Sequence, residues 1–155
     1  MNDIVVRPAH PDDVEFILAS NRSMAAETED VGLNGDTLRK GIKYLLAHPA
    51  EGRYLVAERD GAPVGTLMIT FEWSDWRNGR FWWIQSVYVI AQARRRGVYR
   101  AMHEAVRSLA AEDPQVCGIR LYVEKQNSVA QHTYQHIGMM QTHYRLYEEA
   151  LSPRE

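Results

Sequence analysis

Residues 87–106 read VYVIAQARRRGVYRAMHEAV and join a strand pattern to a helix pattern through a short basic turn. Residues 87–89 are β-branched or aromatic, which is typical of a strand. Beyond Gly97 the apolar residues recur at helical spacing as far as Leu109. A further strand pattern follows at residues 116–123, so the helix predicts a crossover between two parallel neighbouring strands.

The turn within this stretch has the features of an anion site. The start of a helix offers unpaired N–H groups and the positive end of the helix dipole, and Gly97 allows an anion to approach the backbone closely. Guanidinium groups can also bind phosphate oxygens in pairs. Four arginines lie in the turn and the first helical residues: Arg94, Arg95, Arg96 and Arg100. A solvated basic turn is the alternative interpretation, because most charge runs are exposed.

Composition limits what the anion can be. The 155 residues carry a formal charge of -2, so four arginines make only a small basic footprint and no nucleic acid is expected as a partner. The P-loop pattern G-x-x-x-x-G-K-[ST] and the Rossmann pattern G-x-G-x-x-G do not occur. With one cysteine, no secretion signal and no long apolar run, we expect a cytoplasmic protein without a membrane partner.

The patterns outside this stretch predict an α/β protein of the α+β type. We expect a mixed, mainly antiparallel twisted sheet flanked by helices, in the order β-α-α-β-β-β-α-β-α-β, in one domain over residues 1–155. The additional strands are predicted at residues 4–7, 53–58, 64–73, 80–90 and 141–147, and the additional helices after Pro11, from Asp36 to His48 and at residues 128–137.

Asn78 and Gly79 give the strongest hairpin signal in the chain, because both central positions of a type I′ turn require positive φ. A two-residue turn at this point places Glu72 opposite Gln85 and on the same face of the sheet as Val87. A bulge in the second strand of the hairpin would change which residues share that face.

The strand, the turn Arg94-x-x-Gly97-x-Tyr99 and the following helix resemble the coenzyme-A-binding motif of the GNAT superfamily of N-acetyltransferases. Residues 121–139, LYVEKQNSVAQHTYQHIGM, resemble the next segment of that superfamily, in which an asparagine precedes a helix whose tyrosine faces the thioester sulfur. The predicted order of elements also matches the family fold, so the resemblance covers essentially the whole chain. The family usually has glycine or alanine where this chain has Tyr99, so that side chain must point away from the phosphates.

The resemblance implies how acetyl-coenzyme A is bound. Main-chain groups of the strand would pair with the pantetheine arm as an added strand does, and one N–H would meet the thioester oxygen. The backbone of residues 95–100 would hold the pyrophosphate, and Asn127 would either bond to pantetheine or cap its helix. The implied donor residues are Val87, Tyr88, Val89, Arg94, Arg95, Arg96, Gly97, Val98, Tyr99, Arg100 and Asn127.

Two residues are catalytic candidates. By the resemblance, Tyr134 would protonate the leaving thiolate; a core tyrosine is the alternative. Glu72 is the candidate base for the acceptor amine. The alternative, which is more common for such a residue, is that it is simply an exposed glutamate at the edge of the sheet.

His132 and His136 have the i, i+4 spacing of a helical metal pair, but Thr133 stands where the zinc motif needs glutamate, so no metal is expected.

The resemblance implies an acetyl-coenzyme-A-dependent N-acetyltransferase. The acceptor would be a primary amine, on a small molecule or a peptide, that attacks the thioester directly in a ternary complex. Acidic residues between Glu27 and Asp36 favour a cationic acceptor or are simply solvated. Four tryptophans suggest an aromatic acceptor wall, ordinary packing or a homodimer contact: Trp73, Trp76, Trp82 and Trp83. The alternative function is a non-catalytic regulatory module that binds coenzyme A.

Overall fold

The computed structural model describes residues 3–151, and none of the helices in that range is long and apolar enough to cross a membrane. Short 3-10 turns at Pro11–Asp13 and Ala91–Ala93 precede two of the helices. The strands and α-helices, in chain order, are β1 (Ile4–Pro8), α1 (Val14–Glu29), α2 (Gly35–Ala47), β2 (Gly52–Arg59), β3 (Ala62–Ser74), β4 (Gly79–Val89), α3 (Val98–Ala111), β5 (Val116–Arg120) and α4 (Ser128–His136).

The five strands form one sheet in which their spatial order follows their order in the chain. The three pairs from β1 to β4 are antiparallel, and β4 pairs with β5 in parallel. A parallel pair needs a crossover connection, which α3 supplies. The predicted mixed, mainly antiparallel sheet with flanking helices is therefore confirmed.

Helices cover both faces of the sheet and bury two apolar clusters. On one face Met102 of α3 is fully buried against strand residues such as Ile69. On the other face Ile17 of α1 and Ile42 of α2 pack around Tyr54. The alternation of side chains along each strand lets one strand contribute to both clusters.

β4 changes its pairing near its midpoint. Residues 80–83 pair with β3 on one side and with β5 on the other. Among the described residues, pairing with β5 ends at Trp83, and the rest of β4 has β3 as its only strand neighbour. A bulge near Ser86, which has φ of 52°, shifts the register with β3. We refer to Gly79–Ile84 as the closed half of β4 and to Gln85–Val89 as the open half.

The connection between β3 and β4 is longer than predicted. Ser74 pairs with Gly79, and residues 75–78 form the turn, in which Asn78 has φ of 48°. The predicted type I′ turn at Asn78 and Gly79 is therefore wrong. Gly79 belongs to the strand, where an added Cβ would lie 2.7 Å from the carbonyl oxygen of Gln115.

The chain divides between Leu121 and Tyr122 into two compact units. All five strands lie in the first unit, and α4 lies in the second. The predicted final strand at residues 141–147 is wrong, because this segment has no regular secondary structure. A strand needs a neighbouring strand for its hydrogen bonds, and the described residues of the second unit contain none. The expectation of one domain stays a prediction.

Candidate functional site

The basic turn ends in an open helix start. α3 begins after Gly97, whose φ of 82° lies in the left-handed region that favours glycine, and no atom lies within 4 Å of the position its Cβ would take. Gly97 has no side chain that could cap the helix, and the first N–H groups of any α-helix are not satisfied by the helix's own hydrogen bonds. Arg95 is also left-handed, with φ of 64°, and alternating backbone of this kind forms anion-binding concavities.

Tyr99 leaves this helix start accessible. Its hydroxyl forms a 3.0 Å hydrogen bond with Nδ1 of His103, one turn further along α3, and its ring packs against the apolar cluster on that face of the sheet. His103 is buried, and burial lowers the pKa of its imidazole. The orientation of Tyr99 agrees with the expectation that its side chain points away from an anion at the turn.

Arg94 differs from the other three arginines of the turn. Its Nε donates to the carbonyl oxygen of Val89 at 2.9 Å, and its Nη2 donates to Oε1 of Glu27 at 2.7 Å. The other three arginines of the turn are exposed and, within residues 3–151, take part in neither an ion pair nor a side-chain hydrogen bond: Arg95, Arg96 and Arg100. These three fit the expected phosphate role, whereas the Arg94 side chain is already engaged within the protein.

The open half of β4 presents main-chain groups along one edge. Tyr88 and Val89 pair with Thr66 and Gly65 of β3, while Val87 lies at the bulge and has no register partner there. The opposite edge has no strand neighbour among the described residues. Unpaired N–H and C=O groups on a strand edge can bind an extended ligand as an added strand. The residues expected to bind pantetheine therefore lie on an available edge, and their role stays a prediction.

Glu72 does not occupy the place that the sequence predicted. It pairs with Phe81 rather than Gln85, because the turn is four residues long. The bulge also turns Val87 toward the apolar cluster under α3, whereas Gln85 bonds to Thr70 on the opposite face. The predicted shared face with Val87 is therefore wrong. Phe81 and Val87 are six strand residues apart, which corresponds to about 20 Å along β4.

Glu72 instead links three strands at the end of the β4–β5 pairing. Its Oε1 accepts hydrogen bonds from Nε1 of Trp83 at 2.9 Å and from Nη1 of Arg120 at 3.0 Å. Arg120 is the last residue of β5, and Trp83 is its register partner on β4. This position gives Glu72 a role in the sheet, and the hypothesis that it is the base has lost its geometric support.

Glu27 was considered from the sequence only as part of an acidic loop that either favours a cationic acceptor or is solvated, and its contacts with the donor-side residues were not predicted. It lies within α1 rather than in a loop, because α1 continues to Glu29 and α2 begins at Gly35. Its Oε2 accepts a 2.7 Å hydrogen bond from the Tyr88 hydroxyl, and its Oε1 accepts from Arg94. Bonds from Tyr88 and Arg94 lower the pKa of the Glu27 carboxyl, which therefore stays ionised. No local pattern predicts these contacts, because they depend on how α1 packs against β4.

The second unit contains the two other candidate residues. Asn127 is the N-cap of α4, and its side-chain oxygen accepts a 3.2 Å hydrogen bond from the N–H of Ala130. Of the two roles left open for Asn127, the capping role is therefore present. Tyr134 is half-buried in α4, and burial raises the pKa of its phenol above the usual value. A phenol with a raised pKa is protonated at neutral pH, as a proton donor must be.

The four tryptophans do not form one continuous wall. Trp82 is buried in the cluster under α3, and Trp83 bonds to Glu72. Trp73 and Trp76, near the tip of the hairpin, are 51% and 87% exposed.

A group of three or more histidine, cysteine, aspartate or glutamate side chains arranged to hold a metal is not found in the described part of the chain, and His132 and His136 are exposed.

Comparison with protein-family models gives one match. The model of the Acetyltransferase (GNAT) family matches residues 20–139, which include the sheet from β2 onward, the basic turn and α4. None of the curated proteins compared with the chain matches it.

Solved structures resemble the chain over nearly its full length. A possible acetyltransferase from Clostridium difficile 630 is 40% identical, with 97% of this chain and 99% of that chain covered and a TM-score of 0.90. A predicted acetyltransferase from Clostridium acetobutylicum, solved with acetyl-CoA, is 19% identical over 95% and 96%, with a TM-score of 0.77. Aminoglycoside N-acetyltransferase AAC(6')-Iy in complex with CoA is 14% identical over 98% and 97%, with a TM-score of 0.78. The last two likenesses concern the fold alone.

Proposed function

Because the chain belongs to the GNAT acetyltransferase family, we propose that it is an N-acetyltransferase that transfers the acetyl group of acetyl-coenzyme A to a primary amine. The observation that carries this proposal is a strand edge at the open half of β4, without a strand neighbour among the described residues, followed by a helix start at Gly97 without a side-chain cap. An extended pantetheine arm fits the first, and a pyrophosphate fits the second.

The donor would be held mostly by main-chain groups. Residues 87–89 would pair with the amides of pantetheine, and the N–H groups of residues 95–100 would bind the pyrophosphate. Arg95, Arg96 and Arg100 would add charge around it, while Asn127 orders the start of α4. No metal is part of this proposal, since thioester aminolysis needs only positioning and proton transfer.

The acceptor would attack directly, without a covalent acyl-enzyme. The amine nitrogen bonds to the thioester carbonyl carbon, and the negative charge on the oxygen is met by a strand N–H. The C–S bond then breaks and Tyr134 gives a proton to the thiolate. The amine nitrogen loses a proton to solvent water, and Tyr134 regains one from the solvent, so the step balances. Holding both substrates together can supply on the order of 7 to 11 kcal/mol, and one acid or base adds about 10²- to 10⁴-fold.

An amine acceptor is supported by what related folds bind. AAC(6')-Iy has been solved with the bisubstrate analog CoA-S-monomethyl-acetylneamine, at 13% identity to this chain and a TM-score of 0.77. That complex concerns AAC(6')-Iy alone, and it supports an amine acceptor here only through the shared fold. The acceptor of the present chain is proposed only as a primary amine.

Two measurements test the proposal. Calorimetry with coenzyme A establishes whether the donor site exists, and a thiol-release assay with acetyl-coenzyme A across a panel of amines and peptides establishes transfer. We expect amine-dependent thiol release and a mass increase of one acetyl group on the amine. Binding without release for any amine would favour the regulatory module instead, and absence of binding would contradict both functions.

A further inference from the structure

The side chain of Arg94 connects three parts of the first unit. Its Nε bonds to the carbonyl oxygen of Val89 at the end of β4, and its Nη2 bonds to Glu27 of α1. Its guanidinium carbon also lies 5.2 Å from the ring centroid of Tyr88. The Tyr88 hydroxyl donates to the second oxygen of the same Glu27 carboxylate. We name Glu27, Tyr88 and Arg94 the α1–β4 clamp.

The clamp holds the part of β4 that has the fewest other constraints. The open half is bonded to one strand instead of two, and the bulge at Ser86 interrupts even that pairing. The bulge also sets the direction of Tyr88, because Val87 and Val89 pack against the cluster under α3 while Tyr88 reaches α1 on the other face. Tyr88 of the strand and Arg94 of the turn thus both bond to the carboxylate of Glu27 in α1.

We propose that Arg94 is a positioning residue, which holds the open half of β4 against α1 through Glu27, rather than a direct ligand of the donor's phosphates. This inference rests on the proposed function, because the open half is the segment expected to bind pantetheine. It changes the role that the sequence suggested for Arg94. It also adds Glu27, a residue outside the basic turn, to the groups that determine donor use.

The two roles of Arg94 predict different dependences on the donor. A phosphate ligand matters only for donors that carry phosphates. A positioning residue acts on the strand and therefore matters equally for acetylpantetheine, which keeps the thioester and the pantetheine arm but lacks the pyrophosphate and the nucleotide. Glu27 separates the roles further: if Arg94 binds phosphate, replacing Glu27 frees Arg94 and removes a negative charge, so coenzyme A should bind more tightly.

The experiment compares Arg94→Ala, Arg94→Lys, Glu27→Gln and the double variant R94A/E27Q with both acetyl donors. We expect Arg94→Ala and Glu27→Gln each to lower kcat/KM by about 5- to 50-fold with acetyl-coenzyme A and by the same factor with acetylpantetheine, within the roughly 10²-fold that a misplacement of about 1 Å can cost. The double variant should lose no more than the worse single variant, because both changes open one clamp. Arg94→Lys should restore part of the loss, since an ammonium can still reach Glu27.

Two controls match these variants. Glu15→Gln breaks another exposed ion pair of α1, that of Glu15 with Arg39, which does not touch β4, so kcat/KM should not change. Arg96→Ala removes an arginine of the same turn that has no ion pair within residues 3–151, and it should weaken use of acetyl-coenzyme A more than that of acetylpantetheine. The binding measurements are repeated at high salt, which screens long-range charge effects. Changes in Kd that remain at high salt then report on the position of the strand.

The outcomes distinguish this inference from the proposed function. If Arg94→Ala affects acetyl-coenzyme A but not acetylpantetheine, and Glu27→Gln tightens coenzyme A binding, Arg94 is a phosphate ligand and the positioning role is overturned. If the wild type binds coenzyme A but acetylates no amine, the proposed function fails. The direction in which Glu27→Gln changes the Kd for coenzyme A then still decides the role of Arg94, with weaker binding at high salt supporting the clamp.

Discussion

Residues 80–83 in the closed half of β4 pair with strands on both sides, whereas the open half pairs on one side and contains a bulge. In the closed half, side chains such as Trp82 and Ile84 are buried, and the Glu72–Arg120 pair ties β3 to β5. In the open half, the backbone edge lacks a strand neighbour among the described residues, and contacts to α1 hold it in place. One continuous strand thus serves as scaffold in its first half and as a candidate binding edge in its second.

Because of this difference, we expect mutations in one half to affect stability and mutations in the other half to affect function. Changes in the closed half should lower the free energy of unfolding and leave donor affinity alone. Changes at the open half or the adjoining turn should lower donor affinity, and they should lower stability only where they strain the backbone, since an edge that lacks a neighbour contributes less to folding. The predictions below challenge this separation, beginning with the largest expected effect.

If the open half only positions the donor, the proton for the leaving thiolate must come from elsewhere in the chain. Tyr134→Phe should therefore lower kcat by roughly 10- to 1000-fold and leave the Kd for coenzyme A nearly unchanged. Because burial raises the pKa of Tyr134, the phenol stays protonated through neutral pH, and loss of activity from its ionisation should begin only at strongly alkaline pH. Steady-state kinetics across pH measure both effects.

Tyr54→Phe is the matched control for this change. Tyr54 is buried between the sheet and the helices α1 and α2, where burial raises the pKa of its phenol to about 12. Its replacement should alter the Tm and leave kcat unchanged. If Tyr134→Phe behaves in the same way, Tyr134 is a core residue and another group delivers the proton.

Gly97→Val tests the helix start that adjoins the open half. The added side chain enters the open space that the pyrophosphate would approach, so the Kd for coenzyme A should rise by about 10- to 100-fold. Valine at a φ of 82° is also strained, which should lower stability by about 1 to 3 kcal/mol. Calorimetry and thermal unfolding separate the two effects.

Gly61→Val is the matched control, because it introduces the same backbone strain away from the proposed pyrophosphate site. Gly61 lies in the turn between β2 and β3, has φ of 77° and likewise has open space around its Cβ position. This variant should lose similar stability and keep its affinity for coenzyme A. Equal affinities of wild type and Gly97→Val would refute the pyrophosphate site.

Gly118→Ala tests the closed half. An added Cβ at Gly118 of β5 would lie 2.7 Å from the ring of Phe81, which forces the packed ring or the strand to move. We expect a loss of about 1 to 3 kcal/mol in the free energy of unfolding, with unchanged coenzyme A affinity in the folded protein. Gly41→Ala in α2 is the control, because its Cβ meets nothing within 4 Å and alanine favours helix, so stability should rise slightly. Loss of affinity in Gly118→Ala would show that the halves are coupled.

Glu72→Gln should have the smallest effect. Glu72 is 47% exposed, and such ion pairs contribute at most about 1 kcal/mol, so a slight decrease in Tm is expected. As a base, Glu72 would be needed most at mildly acidic and neutral pH, where the amine is hardest to deprotonate. From its place in the closed half we expect an unchanged pH–rate profile, and a selective loss at low pH would restore the base hypothesis.

The sequence predicted the elements whose signals are local. The boundaries of α2, α3 and α4 followed from prolines and glycines near their ends, whereas α1 continues to Glu29, beyond the point where its apolar pattern fades. The crossover helix correctly implied parallel pairing of β4 with β5. Turn length was predicted less well: Asn78 has the expected positive φ, but Gly79 belongs to β4, where it lies close to the carbonyl oxygen of Gln115. The strand expected at residues 141–147 failed for a similar reason, since alternating side chains do not supply a neighbouring strand.

The sequence by itself determined the basic turn, the glycine at the helix start and the order of the elements from β1 to α4, because these depend on residues close together in the chain. Only the tertiary structure decided which side chains meet. Glu27 and Arg94 are 67 positions apart, and Glu72 and Arg120 are 48 apart. The Glu27–Arg94 contact depends on the bulge at Ser86 and on the packing of α1, whereas the Glu72–Arg120 contact depends on the pairing of β4 with β3 and β5. A shift of one residue in a strand reverses the face of every side chain that follows.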